Sequence, residues 1–353
     1  EFEVNPTYGA EDDAVSDSAA APVVGGGGPT VRNLSDPEFE VNPTYGGGGD
    51  EGADDLGVVH NDSDDNDDDL SNWGHWELDR DQIAIGEKIG EGEFGEVIRG
   101  KLHGTGKHTG MVANVAIKVQ TKGERTEFLE EARTMVQLHQ PNLVNIYGVC
   151  TVSEPVLIVS ELCQHGSLKS FLGSFRASTM KVTDLRMMIK EICTAMAYIA
   201  SEDIIHRDLA ARNVLVEEPL RCKVADFGMA VEPDDDGIFR GDRTQPVPIR
   251  WSAPEAIFYG QFSQKSDVWS FGIVMYETVT FGSEVYAGVS NKDVVRMVCK
   301  ENTRLPCPSK PRARLGCTQE LHKVMLVCWQ QEPDDRPTFT ELLEDHLPAA
   351  NFS

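Results

Sequence analysis

Residues 206–213 read His-Arg-Asp-Leu-Ala-Ala-Arg-Asn and put an acid, a base and an amide into one turn, between a helical stretch and a short apolar strand. Asp226-Phe227-Gly228 follows shortly downstream, and Lys118 lies far upstream. Before that lysine stands Gly90-Glu91-Gly92-Glu93-Phe94-Gly95-Glu96-Val97, a GxGxxGxV stretch. Glycines permit a tight hairpin whose backbone amides approach phosphate oxygens without interference from a Cβ, so the chemistry points to phosphate. By itself the glycine pattern fits a dinucleotide-binding turn or a bare hairpin equally well.

The elements around these residues narrow the choice. Ile83, Ile85 and Ile89 alternate as a strand would, and lead into the glycines. A second strand runs through Ile98, a Gly- and His-containing hairpin spans 101–110, and Val115-Ala116-Ile117-Lys118 forms a third. A dinucleotide-binding unit would need a helix directly after the glycines, and none is expected here. A helix is expected from near Glu124, with Phe128, Ala132, Met135 and Val136 on its buried face. At 100° per residue Glu131 lies about 60° from Phe128, at the edge of that face, whereas Glu130 points nearly opposite. Residues 184–200 carry a broad apolar helical face: Leu185, Met188, Ile189, Ile192, Met196 and Ile199. Gly166-Ser167-Leu168 opens another helix, with Ser167 as its cap.

The glycine loop, VAIK, HRDLAARN and DFG, in this chain order, resemble the catalytic domain of protein tyrosine kinases of receptor type or the Src/Abl-like type. The resemblance implies an α+β, bilobal protein-kinase fold over 76–347, with a small β-rich N-lobe at about 76–162 and a larger helical C-lobe at about 163–347. It implies ATP and Mg²⁺. Ile89 and Val97 would cover the adenine; Gly90, Gly92 and Gly95 would lie along the phosphates; Ala116 and Leu215 would line the nucleotide site. Lys118 would contact the α and β phosphates and pair with Glu131. Ser160-Glu161-Leu162-Cys163 resembles the hinge, with Ser160 guarding a back pocket and the backbone of Glu161 and Cys163 bonding adenine. Asp208 would accept or orient the substrate hydroxyl, and Asn213 and Asp226 would hold the magnesium.

Two marks separate tyrosine from serine/threonine specificity. Serine/threonine kinases resemble HRDLKxxN, whereas here Ala210 takes the lysine position and Arg212 supplies the cation, leaving room for a phenol. Pro248-Ile249-Arg250-Trp251 resembles the platform on which tyrosine rings rest. Two further anchors come with the family: an ion pair of Glu255 with Arg336, and Asp267 bonded to the catalytic-loop backbone. One departure stands out. Twelve residues before Trp251, where many tyrosine kinases carry an activating tyrosine, the chain has Phe239, and 227–254 contains no tyrosine. Arg207, which in relatives pairs with that phosphate, would take its negative charge from Asp234, Asp235 and Asp236, or the segment would order without phosphate.

Charge is unevenly spread. Residues 1–70 hold 19 acidic residues and one basic one, 18 of the net 26 negative charges. Such a balance argues against nucleic-acid binding, which needs a basic face. The peptide Glu-Phe-Glu-Val-Asn-Pro-Thr-Tyr-Gly occurs twice, at 1–9 and 38–46, among Gly, Ser, Ala and Pro. Residues 1–75 are therefore expected to be a disordered acidic tail, with Tyr8 and Tyr45 as phosphoacceptors and docking sites for phosphotyrosine-binding adaptor domains. The eight cysteines form no CxxC pair and sit mostly in apolar segments, as reduced core thiols do in a cytoplasmic protein. No run reaches the ~18 apolar residues of a membrane span, so a membrane would be met only through a segment outside this chain, as in the intracellular region of a receptor. The expected function is ATP-dependent phosphorylation of protein tyrosines, including those of the tail. The rival function is a pseudokinase scaffold or docking protein; dual specificity is disfavoured by Ala210 and Pro248.

Overall fold

The computed structural model describes residues 73–92, 94–104, 110–174, 179–243, 245–308 and 317–350; residues 1–72, with Tyr8 and Tyr45, lie outside the described residues, whereas 73–75, expected to be disordered, are placed, with Trp73 buried and Gly74–Trp76 in a 3-10 turn. The described residues fall into two compact units, one running to Leu129 and resuming at Tyr147–Ser160, the other comprising Glu130–Ile146 and the chain from Glu161 onward.

Strand periodicity organises the first unit. β1 (Ile83–Gly92), β2 (Gly95–His103), β3 (Val112–Gln120), β4 (Ile146–Cys150) and β5 (Leu157–Glu161) form a five-stranded sheet in the order β1-β2-β3-β5-β4. Along β3, Val115, Ile117 and Val119 are buried while Ala116, Lys118 and Gln120 between them are half-buried, the alternation a pleated strand imposes. Lys118 therefore stands on the face opposite the core formed with Leu157 and Val159. The isoleucines of β1 behave differently from a simple alternation. Ile83 packs against the core, but Ile85, paired opposite Gly100, is 52% exposed, and beyond it register shifts between Ile85 and Lys88 and between Lys88 and Gly90 break the pleat around Ile89, 42% exposed. The β2–β3 pairing continues through Leu102↔Ala113 and His103↔Val112, later than the sequence placed the turn, because Leu102 still has core to cover.

The second unit is mainly helical: α2 (Leu168–Gly173), α3 (Val182–Ser201), α4 (Pro254–Tyr259), α5 (Gln264–Val279), α6 (Asn291–Val295) and α7 (Gln319–Cys328), following α1 (Arg125–Gln137), whose last residues from Glu130 also belong here. Ser167 caps α2 by accepting from the Ser170 N–H at 3.2 Å. All six apolar residues expected on the inner face of α3 are buried, with Cys193 and Ala195 beside them. α5 is buried on every side from Ser266 to Val279, so it is the helix around which this unit packs. Gly272 makes that packing possible, since a Cβ there would lie 2.4 Å from the Trp329 indole nitrogen.

Two short ribbons complete the unit: β6 (Val214–Glu217) with β7 (Arg221–Val224), and β8 (Phe239–Arg240) with β9 (Gln261–Phe262). The α+β composition is that of the kinase fold, and all eight cysteines are free thiols.

Arg336, its side chain fully buried, makes two parallel bonds to Glu255, at 2.6 and 2.8 Å, and donates to the carbonyls of Gln330, Lys265 and Gln331. Truncating Glu255 leaves a buried guanidinium whose charge is answered only by carbonyl dipoles. Glu255→Ala is expected to destabilise the helical unit by about 3 kcal/mol, seen as a lower urea midpoint at unchanged slope.

Candidate active site

The turn that carries Asp208 is held from below by a single carboxylate. Asp267, in the first turn of α5, accepts the His206 N–H at 2.7 Å and the Arg207 N–H at 3.0 Å. Those bonds fix a backbone that otherwise resists this shape, because Arg207 has φ +68°. A left-handed conformation costs an ordinary residue about 1 to 2 kcal/mol, which two bonds to a buried charge offset. His206 is fully buried; its Nε2 lies 3.2 Å from the Ala225 carbonyl and its Nδ1 accepts the Asp208 N–H at 3.3 Å, an arrangement that places the ring proton on Nε2.

The β6–β7 hairpin sets the spacing of the remaining groups. β6 starts directly after Asn213 and β7 ends two residues before Asp226, and the Ala225 N–H closes on the Asn213 carbonyl at 2.9 Å. Asn213 donates its amide nitrogen to the Asp208 carbonyl at 2.8 Å and to the carboxylate Oδ2 at 2.6 Å. That nitrogen being committed, the amide oxygen is the group left to accept. Arg212 bonds the other carboxylate oxygen, Oδ1, and its guanidinium lies 4.4 Å from the ring of Trp251. Asp226, exposed and left-handed at φ +66°, is near enough for its charge to act on Asp208.

The platform loop is tied down by Arg250, which donates to Asn291 Oδ1 and to the carbonyls of Val285, Tyr286 and Val289. Glu277 is a residue the sequence reading missed. It accepts the Ala211 N–H at 2.9 Å and the Trp251 indole N–H at 3.1 Å, so one buried carboxylate joins the catalytic turn to the platform. Its signal was available as a lone carboxylate inside the apolar stretch 268–279.

In the same unit, Glu161 accepts from the Asn145 N–H at 2.7 Å and from Lys223 at 2.6 Å, with Glu217 3.8 Å from that ammonium. Cys163 is buried, and burial pushes its thiol up to about 12. Leu215 is half-buried on β6. On α1, Glu131 is 5% exposed whereas Glu130 is exposed.

The sheet unit holds the other predicted residues. Gly90 pairs with Val97 and Gly92 with Gly95, closing the hairpin of the glycine stretch. Gly95 has φ +151°, and a Cβ there would meet the Val119 carbonyl at 2.2 Å, so no other residue fits. Val97 lies opposite Lys118 in the β2–β3 register, Ala116 opposite Arg99, and the Lys118 ammonium stands 5.5 Å from the Phe94 ring centroid. Ser160 is half-buried on β5. The acidic run at 234–236 is arranged differently from the sequence expectation. Asp234 and Asp236 bind Arg240, at 3.2 and 2.5 Å, and do not face Arg207, because Arg240 follows on the same tight turn.

The family model for protein tyrosine and serine/threonine kinases matches residues 83–346. Tyrosine-protein kinase SRK3 of Spongilla lacustris is 42% identical over 284 residues, covering 80% of this chain and 81% of that one. The chain belongs to the protein tyrosine kinase family. Tyrosine-protein kinase FRK of Homo sapiens is 41% identical over 279 residues, and ephrin type-B receptor 3 of Danio rerio 42% over 271. These matches cover 77% and 76% of this chain but 52% and 53% of those proteins, so the chain spans about half of their length.

Within this kinase site, burial lifts the Asp208 carboxyl above the ordinary carboxylate range. Arg212 and His206 draw it down, and Asp226 pushes it up again. Burial likewise raises Asp267 and Glu277, against the N–H donors that hold each of them. Asn213 and Asp226 offer hard oxygen donors of the kind Mg²⁺ takes; with substrate phosphates completing the shell, two protein donors suffice. Among the described residues no cluster of three or more His, Cys, Asp or Glu could hold a metal by protein alone.

An Asp208 that must be ionised to act loses activity as pH falls through its raised pKa. The acid limb of kcat/KM is expected above the ~3.9 of a free aspartate, and Arg212→Ala, by removing an attracting charge, is expected to move it higher still. A pH–rate profile showing the limb at or below that value, or shifted down in the variant, would contradict this.

Proposed function

We propose that this chain transfers the γ-phosphoryl group of ATP to the hydroxyl of protein tyrosines, Tyr8 and Tyr45 of its own tail included. The observation that carries the tyrosine choice is the pairing of Arg212 with Asp208 while Ala210 is buried and contributes no side chain beyond Cβ. A cation reaching back from the fourth residue after Asp208, stacked on Trp251, neutralises charge without filling the space a phenol ring needs.

Asp208 accepts the phenolic proton as the tyrosine oxygen bonds to phosphorus and the bond to the departing ADP breaks. Asn213 orients the Asp208 carboxylate, and Arg212 holds its other oxygen. From the sheet unit, Lys118 would contact the α and β phosphates, the amides of Gly90, Gly92 and Gly95 would cradle them, and Ile89, Val97 and Ala116 would cover adenine; Glu131 of α1 is the carboxylate this reading assigns to that lysine. From the helical unit, Glu161 and Cys163 would meet the adenine edge through their backbone and Leu215 would line the nucleotide site; in the sheet unit Ser160 of β5 would guard a back pocket. Asn213 and Asp226 would hold Mg²⁺, which when bound would neutralise charge on the phosphates. Residues 76–347 are the catalytic domain in this reading. The acidic tail at 1–75 presents its two Asn-Pro-Thr-Tyr copies as substrates and, once phosphorylated, as docking sites for phosphotyrosine-binding adaptor domains, on the cytoplasmic side of any membrane. None of the described helices is long and apolar enough to cross a membrane.

Incubation with radiolabelled ATP and magnesium, followed by phosphoamino-acid analysis, is expected to place label on tyrosine, and Asp208→Asn to cut it by about 10³-fold or more. Label on serine would overturn the tyrosine choice. Binding of ATP with no Asp208-dependent label would leave the chain a scaffold. The double variant Tyr8→Phe, Tyr45→Phe is expected to lose self-labelling of the tail while phosphorylating an added tyrosine peptide at the wild-type rate.

A further inference from the structure

Arg207 is the residue of the catalytic turn that the chemistry above does not use. Its backbone is pinned by Asp267, and among the described residues its guanidinium makes no ion pair. Instead the guanidinium carbon lies 4.8 Å from the centroid of the Phe239 ring and 4.5 Å from that of Phe262. One terminal nitrogen reaches the Met229 carbonyl at 3.4 Å, and the buried Nε has no acceptor. The faces of two aromatic rings attract the planar cation, which helps offset the cost of the orphaned N–H.

The two rings are placed by backbone structure. Phe239 of β8 lies directly across from Phe262 of β9, with centroids 6.5 Å apart, and the Gly241 N–H extends the ribbon to the Gly260 carbonyl at 2.9 Å. Upstream, Arg240 is tied to Asp234 and Asp236, and the Gly237 N–H closes the turn on the Asp234 carbonyl at 2.8 Å. The rings belong to a small core with Ile205 and Val231, and those two residues pair through backbone bonds of 2.8 and 3.0 Å. The segment from 234 to 241 is thus held in shape by its own ion pairs and turn, is paired to β9, and meets the catalytic turn through the Phe239 ring against Arg207. Phe239 has no hydroxyl to phosphorylate.

We propose that Phe239 and Phe262 are positioning residues that clamp Arg207 between aromatic faces and so hold the catalytic turn and the activation segment in register without phosphorylation. The proposal rests on the tyrosine kinase reading. Phosphatase-treated full chain, freed of phosphatase, is expected to phosphorylate a tyrosine peptide without a lag and within about twofold of the untreated rate. Phe239→Leu and Phe262→Leu are expected to lower kcat by about tenfold or more, with the KM for ATP within about threefold. Phe239→Tyr, assayed after phosphatase treatment, keeps the ring face and is expected to recover to within about threefold of wild type. Arg207→Lys, keeping the charge but losing the planar face, should fall with the leucine variants. Thermal melts confirm folding, and Phe239→Met stands in should Phe239→Leu fail to fold. A Leu or Met variant with wild-type kcat, or a wild-type activity abolished by phosphatase and restored on self-phosphorylation, would overturn the clamp. Failure of the wild type to label tyrosine at all would instead overturn the kinase reading.

Discussion

The Asp267 carboxylate, at the head of a helix buried on all sides, is the point from which the active site hangs. Its two oxygens take the N–H groups of His206 and Arg207, and the second of those residues is in a backbone conformation that few side chains adopt unaided. Bonds from neutral N–H groups to a buried charge are about twice as strong as neutral ones, enough to impose the turn. Once the turn is imposed, Asp208 has one position, and Arg212 and Asn213 close on it from the next turn of chain.

A second buried carboxylate repeats this logic. Glu277, two turns and more along the same helix, bonds Ala211 and Trp251, so the rigid helix fixes the catalytic turn at two places and the platform at one. Burial works against the ionised form of Asp208, Asp267 and Glu277 alike. For the latter two the expense is met by N–H donors and yields rigidity. For Asp208, burial and the charge of Asp226 outweigh the pull of Arg212 and His206 and leave the carboxyl above the ordinary range.

Much of this was legible in the sequence where geometry is local. The helical spacing of Phe128, Ala132 and Met135 separated buried Glu131 from exposed Glu130, and Ser167 could be read as a cap from its place before Leu168. Where the reading fell short, the deciding contact lay elsewhere in the chain. The isoleucines of β1 looked like a simple strand face, but Ile85 lies exposed opposite Gly100 and Ile89 lies exposed where register shifts against β2 break the pleat. The acidic run at 234–236 looked like a substitute phosphate for Arg207, but Arg240 on the same turn takes it.

The sequence alone determined the kinase motifs, the tyrosine-type Ala210 and Arg212, and the absence of a phenol at position 239, because each is a matter of residue type at fixed spacing. Only the tertiary structure decided what Arg207 does in place of meeting a phosphate. Phe262 lies 55 residues beyond Arg207 in the chain, and no local periodicity brings its ring to a guanidinium. That encounter depends on a cross-strand pair between two short strands and on a carboxylate in a third element, and contacts of such long range are set by packing.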